Sequence, residues 1–155
     1  MVIHLPTTAP ENQNRFSRNF GQLINRMERK YRLYMDEHMR QYGINGRMQF
    51  YFIFLDKHPG SSQDALATHY VLDKCTVARS AKHLESSGYI TRRVNDSDRR
   101  QNDLYLTDKG MDMLTIIRKC NREWGDRFND VLTEQEQETM IALFERVVEH
   151  VVEKT

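Results

Sequence analysis

Between Ser61 and Thr107 the sequence sets two short helical segments, a very short turn and a hairpin in succession. This order constrains the fold more than any other part of the chain. Ser61, followed by Asp64, is a capping-box variant and predicts a helix through about Tyr70. "VL" is the turn. Asp73 predicts the cap of a second helix, "KCTVARSAKHLESS", which Gly88 ends. "YITRRV" and "LYLT" then predict two paired strands. Helix, tight turn, helix is the helix-turn-helix unit, and a hairpin directly after it makes a wing. A tight hairpin needs only Asn-Gly or Asp-Gly at its turn. Here the connection is "NDSDRRQND", nine residues with three acids, two adjacent arginines and neither glycine nor proline.

Helical periodicity surrounds this centre. From about Asn14 to Tyr42 the residues Phe16, Phe20, Leu23, Met27, Tyr31, Tyr34, His38 and Tyr42 recur at helical spacing, and Gly43 ends the run. The first ten residues read as a loose arm. Asn45 predicts the cap of "GRMQFYFIFLDK", whose centre is apolar all round and must be buried on all sides. Thr107 predicts the cap of a long helix to about Asn129. Thr133 and Glu136 form a capping box for a last helix that runs to the end. The expected fold is mainly α, a winged helix-turn-helix with long N- and C-terminal helices. In the last helix Met140, Ile141, Phe144, Val147, Val148, Val151 and Val152 make a stripe wider than one packing partner needs. Such a face predicts association.

The chain has 155 residues, 39% hydrophobic and 29% charged, which suits one globular domain of ordinary size. No apolar run is long enough to span a bilayer, and "MVIHLPTTAP" lacks the blocks of a signal peptide. The expected compartment is the cytoplasm, where Cys75 and Cys120 stay reduced. Scattered histidines and two distant cysteines give no metal framework, and no cofactor is expected. There is no P-loop, dinucleotide fingerprint or HExxH, so an enzyme is not expected. Net charge is only +1, but it is unevenly placed. Residues 133–155 hold six acids and two bases, whereas residues 73–110 hold eight Lys/Arg and six Asp/Glu.

At about 3.6 residues per turn, Val77, Ala78, Ala81 and Leu84 of the second short helix fall on one side and face the core. The opposite side holds Cys75, Thr76, Arg79, Lys82, His83 and Ser86, cationic and hydrogen-bonding groups with no acid among them. A major groove accepts one such helix. Arg79 suits guanine, Thr76 a base or a thymine methyl, and Lys82 and His83 suit phosphates. With Ser61, Lys74 and Ser80 from the two short helices, and Arg99 and Arg100 from the wing, these form the candidate DNA-binding set. A long loop with an arginine tip reaches a narrow minor groove, which attracts that side chain. Asp96 and Asp98 are the candidates for wing support, pairing one guanidinium and shaping the loop. A winged helix used only for protein contacts is the competing reading. The absence of acids on the exposed face argues against it.

The stretch "DKCTVARSAKHLESSGYITRRVNDSDRRQNDLYLTDKG" resembles the MarR family of bacterial transcription regulators, with Asp98-Arg99-Arg100 as its Asp-x-Arg wing signature. "SSQDALATHYVL" and "LTEQEQETMIALFERVV" resemble the helix before and the final helix. The resemblance implies a single domain over residues 1–155. Residues 45–108 would form the winged DNA-binding lobe, and residues 12–43 and 109–155 the helical dimerisation region. It implies a homodimer on a pseudo-palindromic operator, usually as a repressor, with Arg100 in the minor groove and Asp98 supporting the wing. Many relatives are released by small, often aromatic, anions. The candidates for holding one here are Tyr31, Tyr34, His38, Phe50, Phe54 and Trp124. Cys75 departs from the family pattern, which commonly has a small hydroxyl residue there. A thiol in the first turn of a helix beside Lys74 raises the alternative of a redox-responsive regulator. Cys120 is expected to be buried and inert.

Overall fold

The computed structural model of the chain describes residues 10–99 and 101–151. Its helices are α1 (Pro10–Met39), α2 (Gln49–Lys57), α3 (Gln63–His69), α4 (Lys74–Ser86), α5 (Asp108–Asp126) and α6 (Glu134–Val151). Its strands are β1 (Ile90–Val94) and β2 (Asn102–Leu106). The mainly α winged helix-turn-helix expected from the sequence is the fold observed. No helix among the described residues is long and apolar enough to cross a membrane. The chain divides into two compact units, residues 1–50 and 51–155.

In the first unit α1 begins at Pro10, earlier than the periodicity indicates, so only residues 1–9 of the expected arm lie outside the described residues. The helix tightens into a 3₁₀ turn over Arg40–Tyr42 and stops at Gly43, whose φ of 72° is a left-handed conformation that glycine adopts without penalty. Asn45 then caps as expected, its Oδ1 accepting from Arg47 N at 3.1 Å and Met48 N at 3.3 Å. The turn it caps, Gly46–Met48, is 3₁₀ before α2 takes over. Gly46 sits against α1: its N–H donates to Asp36 Oδ1 at 2.7 Å, and a Cβ there would stand 2.6 Å from Met35 Cβ. Met35, Met39, Ile44 and Gln49 are buried.

In the second unit Phe52, Leu55, Leu66, Val77, Ala81, Leu84, Leu104, Met113, Leu114 and Ile117 form the core. The apolar middle of α2 is buried at Tyr51, Phe52, Phe54 and Leu55. Cys120 is buried, and burial pushes its thiol pKa up, with Glu123 adding to the effect. α5 ends at Asp126, short of Asn129, in a series of turns. The Thr133–Glu136 capping box forms reciprocally: Thr133 N donates to Glu136 Oε2 at 2.8 Å, and Glu136 N to Thr133 Oγ1 at 3.3 Å.

One cap differs from expectation. α3 is capped by Ser62, whose Oγ accepts from Ala65 N at 3.1 Å. Ser61 is drawn instead into extended pairing with Leu104, which donates its N–H to Ser61 O at 3.0 Å. Asp64 is free of capping work and pairs with Lys74 Nζ at 3.1 Å. β1 and β2 are antiparallel, with Ile90 opposite Leu106 and Val94 opposite Asn102.

At Gly110 the first turn of α5 lies close against Tyr89 and Leu106, at the base of the wing. A Cβ there would land on the carbonyl oxygen of Tyr89 and crowd Leu106. Gly110→Ala should therefore cost about 1–3 kcal/mol through overpacking. Gly125, with open space around it in α5, should gain about 0.5–1 kcal/mol as alanine. Urea unfolding of both variants checks this, and equal effects would mean that the Tyr89–Gly110 approach is not tight.

Candidate nucleic-acid interface

α4 is fixed at both ends and in the middle. At its N-terminus Asp73 Oδ1 accepts from Thr76 N at 2.8 Å. The bonds from the Thr76 backbone and side chain hold the Asp73 carboxyl below its usual pKa. In the middle Tyr51 OH donates to Val77 O at 3.0 Å. Burial raises the pKa of that phenol, a shift opposed by a hydrogen bond with Ser80. At the C-terminus Lys109 Nζ donates to Ser87 O at 2.7 Å and lies over the Tyr89 ring at 4.5 Å. Thr107 Oγ1 donates to Gly88 O at 2.6 Å.

These restraints turn Val77, Ala81 and Leu84 inward. Ala78, expected in the core, is exposed, because it lies at the edge of the buried stripe. Cys75, Thr76, Arg79, Lys82, His83 and Ser86 are all exposed on the outward side, as the wheel predicts. Three other residues of the candidate set are held differently. Lys74 is tied to Asp64. Ser80 is half-buried and bonded to Tyr51. Ser61 is half-buried and paired with Leu104 at the root of the wing.

The wing is organised by Asn95, which the sequence pattern does not single out. Its Oδ1 accepts from Ser97 N and Asp98 N, each at 2.8 Å. Its Nδ2 donates to the Asp103 carboxylate at 2.9 and 3.1 Å. Asx turns of this kind are what asparagine does at loop starts, so the signal was present in the first residue of "NDSDRRQND". Asp98 contributes through its carbonyl, which accepts from Gln101 N at 2.9 Å, and its carboxylate, which accepts from Gln101 Nε2 at 3.3 Å. Asp96 and Arg99 are exposed on the loop. Arg100, the expected minor-groove arginine, lies outside the described residues, as does any pairing of its guanidinium with Asp96 or Asp98. Behind the loop, Arg93 packs over the Tyr105 ring at 4.7 Å.

The aromatic candidates for an effector site fall in both units. In the first, Tyr31 OH donates to the buried Gln49 Oε1 at 2.8 Å. The buried Tyr34 lies 4.2 Å from the His38 ring, and Phe50 is half-buried. In the second, Phe54 is buried among His58, His69 and Tyr70, with ring centroids at 4.9, 5.2 and 6.1 Å. Trp124 meets Phe128 at 6.4 Å and carries Arg127 over its ring at 5.2 Å. Among the described residues no group of three or more His, Cys, Asp or Glu is placed to hold a metal ion. Cys75 is a free, exposed thiol.

A capped helix presenting cations and hydrogen-bonding groups, preceded by a short helix and followed by a two-stranded wing, defines a winged helix-turn-helix protein. The MarR family model matches residues 53–101, which run from α2 through α3, α4 and β1 into the loop of the wing. The HTH-type transcriptional regulator BilQ of Clostridium symbiosum (strain WAL-14163) is 30% identical over 115 residues, covering 74% of this chain and 80% of that protein. A MarR transcriptional regulator from Methanosarcina mazei Go1 superposes with a TM-score of 0.82 at 25% identity, over 89% of this chain and 99% of the other. The S. aureus MepR–DNA complex has the same fold, with a TM-score of 0.76 at 21% identity over 85% and 97% of the two chains. The chain belongs to the MarR family of transcriptional regulators, whose members are not enzymes.

Asn95→Ala should loosen the wing without unfolding the chain. Amide exchange at Ser97 and Asp98 should accelerate at least about tenfold, while global stability falls by about 1 kcal/mol. Unchanged exchange at those amides would show that Asn95 does not hold the turn.

Proposed function

We propose that this chain is a repressor that binds a pseudo-palindromic operator as a homodimer. α4 lies in the major groove and the wing reaches the neighbouring minor groove; residues 45–108 act as the DNA-reading lobe. The observation that carries this is the outward face of α4. Thr76, Arg79, Lys82 and His83 are exposed together, with no acid on that face, while Tyr51, Asp73 and Lys109 hold the helix from its inward side and its two ends. A protein of this fold has been solved with DNA, as the MepR complex. Arg79 is the candidate for direct base reading, Lys82, His83 and Lys74 for phosphates, and Arg99 and Arg100 for the minor groove.

Dimer formation is supported by helix faces left uncovered in each unit. In α1, Phe16 stacks on Phe20 at 4.7 Å, and Leu23, Ile24 and Met27 are exposed. In α6, Met140, Ile141, Phe144, Val147, Val148 and Val151 are exposed, and the helix has no buried residue; Val152 lies outside the described residues. Apolar faces of this extent mark association sites. The regulation we propose is release by a small aromatic anion, with Tyr31, Tyr34, His38 and Phe50 of the first unit and Phe54 and Trp124 of the second as the candidate residues. The exposed Cys75 thiol on the DNA-reading helix supports oxidation as the alternative trigger. Operator affinity measured with aromatic carboxylates, and with peroxide on the parent and Cys75→Ser, separates the two.

Phe144→Glu combined with Val148→Glu should convert the dimer to monomer in sedimentation equilibrium and abolish footprinting of paired half-sites. Those half-sites should be centred about 10–10.5 bp, or a multiple of it, apart. A variant that stays dimeric would place the interface elsewhere.

Arg79→Ala and Arg100→Ala should each weaken operator binding far more than Lys119→Ala, which removes a charge from α5. Each should reduce the salt slope by about 0.9 if it removes one phosphate-type contact. Arg100→Ala should also erase any preference for A·T-rich flanks. Equal small losses for all three variants in a salt-titrated gel shift would overturn the DNA-reading assignment.

A further inference from the structure

The wing is a ribbon of β1 and β2 whose base is anchored by Ile90 and Leu104 in the core and by the backbone pairing of Leu104 with Ser61, while its outer half extends beyond these contacts. A two-stranded hairpin is marginally stable alone and does not set its own angle to neighbouring helices. Something must fix where its tip points relative to α4. Arg92, in the middle of β1, is placed to do so. Its Nε donates to Glu85 Oε2 at 2.8 Å, and Glu85 stands in the last turn of α4. With the Gln63 amide oxygen turned toward the guanidinium, Gln63 accepts from Nη1 at 2.7 Å and Nη2 at 3.3 Å, and Gln63 is the first residue of α3. One planar fork therefore joins β1, α4 and α3, the three elements whose mutual angles a winged helix must keep.

Arg92 is also a half-buried charge of the wing. Its side chain is 24% exposed, and it lines a polar groove of about 290 Å³ with Ser62, Gln63, Asp64, Gln101 and Asn102. The Asp64 carboxylate in that groove disfavours a phosphate there. Nε and one N–H each of Nη1 and Nη2 are engaged within the protein, so three of the guanidinium's donors are directed at Glu85 and Gln63 and hold its plane in place.

We propose that Arg92 is a positioning residue for DNA reading, which sets the angle of the wing to α4 through Glu85 and Gln63 and does not touch DNA. This rests on the operator-binding function proposed above. An ammonium cannot make the same planar, divergent set of bonds, so charge alone does not replace the fork.

The test compares Arg92→Lys, Arg92→Gln and Glu85→Gln in the full-length chain. All three should keep the parent's helical circular dichroism. Arg92→Lys and Arg92→Gln should both lose about tenfold in operator affinity, keep the parental salt slope, and lose discrimination among flanking sequences while keeping discrimination within the half-site. Glu85→Gln should add nothing once Arg92→Gln is present. Without DNA, amide exchange at Asn102–Leu104 should rise severalfold in both Arg92 variants. Restoration of affinity by lysine, together with a salt slope lowered by about 0.9 in Arg92→Gln, would make Arg92 a phosphate contact and overturn the proposal. Additive losses for Arg92→Gln and Glu85→Gln would overturn it too, as would unchanged exchange. A parent chain that binds no DNA would sink the proposed function instead, and the exchange measurement would still decide whether Arg92 holds the wing.

Discussion

The phenol of Tyr51 donates to the carbonyl oxygen of Val77 at 3.0 Å, and together with the buried stripe of Val77, Ala81 and Leu84 it fixes the rotation of α4 about its own axis. A helix can be held by its ends and still roll. Here α2 reaches the middle of α4, while Asp73 and Lys109 hold its two ends. The direction of roll decides which side chains face outward. One residue of rotation would bring Ala78 and Lys82 toward the places now held by Val77 and Ala81. Bidentate reading of a base is worth about 1–3 kcal/mol only when the side chain arrives in register. The outward face of α4 thus depends on the packing and the bond made on its inward side.

Electrostatics work in the same local way. With a net charge of +1, the chain has little long-range attraction for a polyanion. Attraction must come from the few cations on α4 and the wing, and several of these are already committed. Arg92 is held by Glu85 and Arg93 by the Tyr105 ring, and the neighbouring Lys109 of α5 is held by the end of α4. Lys74 and Asp64 are both highly exposed, so their pair contributes little to stability and exchanges readily. Lys74 can leave Asp64 for a phosphate, but the acid it leaves behind then stands near the same backbone. Such an arrangement favours binding that depends on base and groove contacts over binding by charge alone.

What was legible in the sequence was local. Asn45, Asp73, Thr107 and the Thr133–Glu136 box cap as their spacing predicts, because a cap is decided within about four residues. The exposed face of α4 followed from its periodicity. The Ser61–Ser62 choice was not local: adjacent serines are equivalent cap candidates, and pairing of Ser61 with Leu104, distant in sequence, decides between them. The same holds for the Arg92 fork, whose partners Gln63 and Glu85 lie in two other elements. Asn95 was different. Its Asx turn is short-range, made to Ser97 and Asp98 within three residues, and the charged residues of the loop are carried on that turn.

The ends of the two helices of the helix-turn-helix show where the chain accepts strain. Both close with the same pair of bonds. At the end of α4, Tyr89 N reaches Leu84 O at 2.9 Å and Gly88 N reaches Glu85 O at 3.0 Å, with Gly88 at φ 78°. At the end of α3, Leu72 N reaches Ala67 O at 2.8 Å and Val71 N reaches Thr68 O at 3.3 Å, with Val71 at φ 52°. This is the Schellman closure, in which the left-handed position is usually glycine. A β-carbon there costs about 1–2 kcal/mol, and the valine is exposed, so burial does not offset it. The two bonds, and the Asp73 cap two residues later, must therefore hold the turn against that cost. Glycine would relieve the strain but would widen the range of turn conformations open to the chain. Valine narrows that range, and the turn it narrows is the one that sets how α4 leaves α3. The end of α4 carries no such demand, because Lys109, Thr107 and the Arg92 fork already fix it from outside, and glycine serves there.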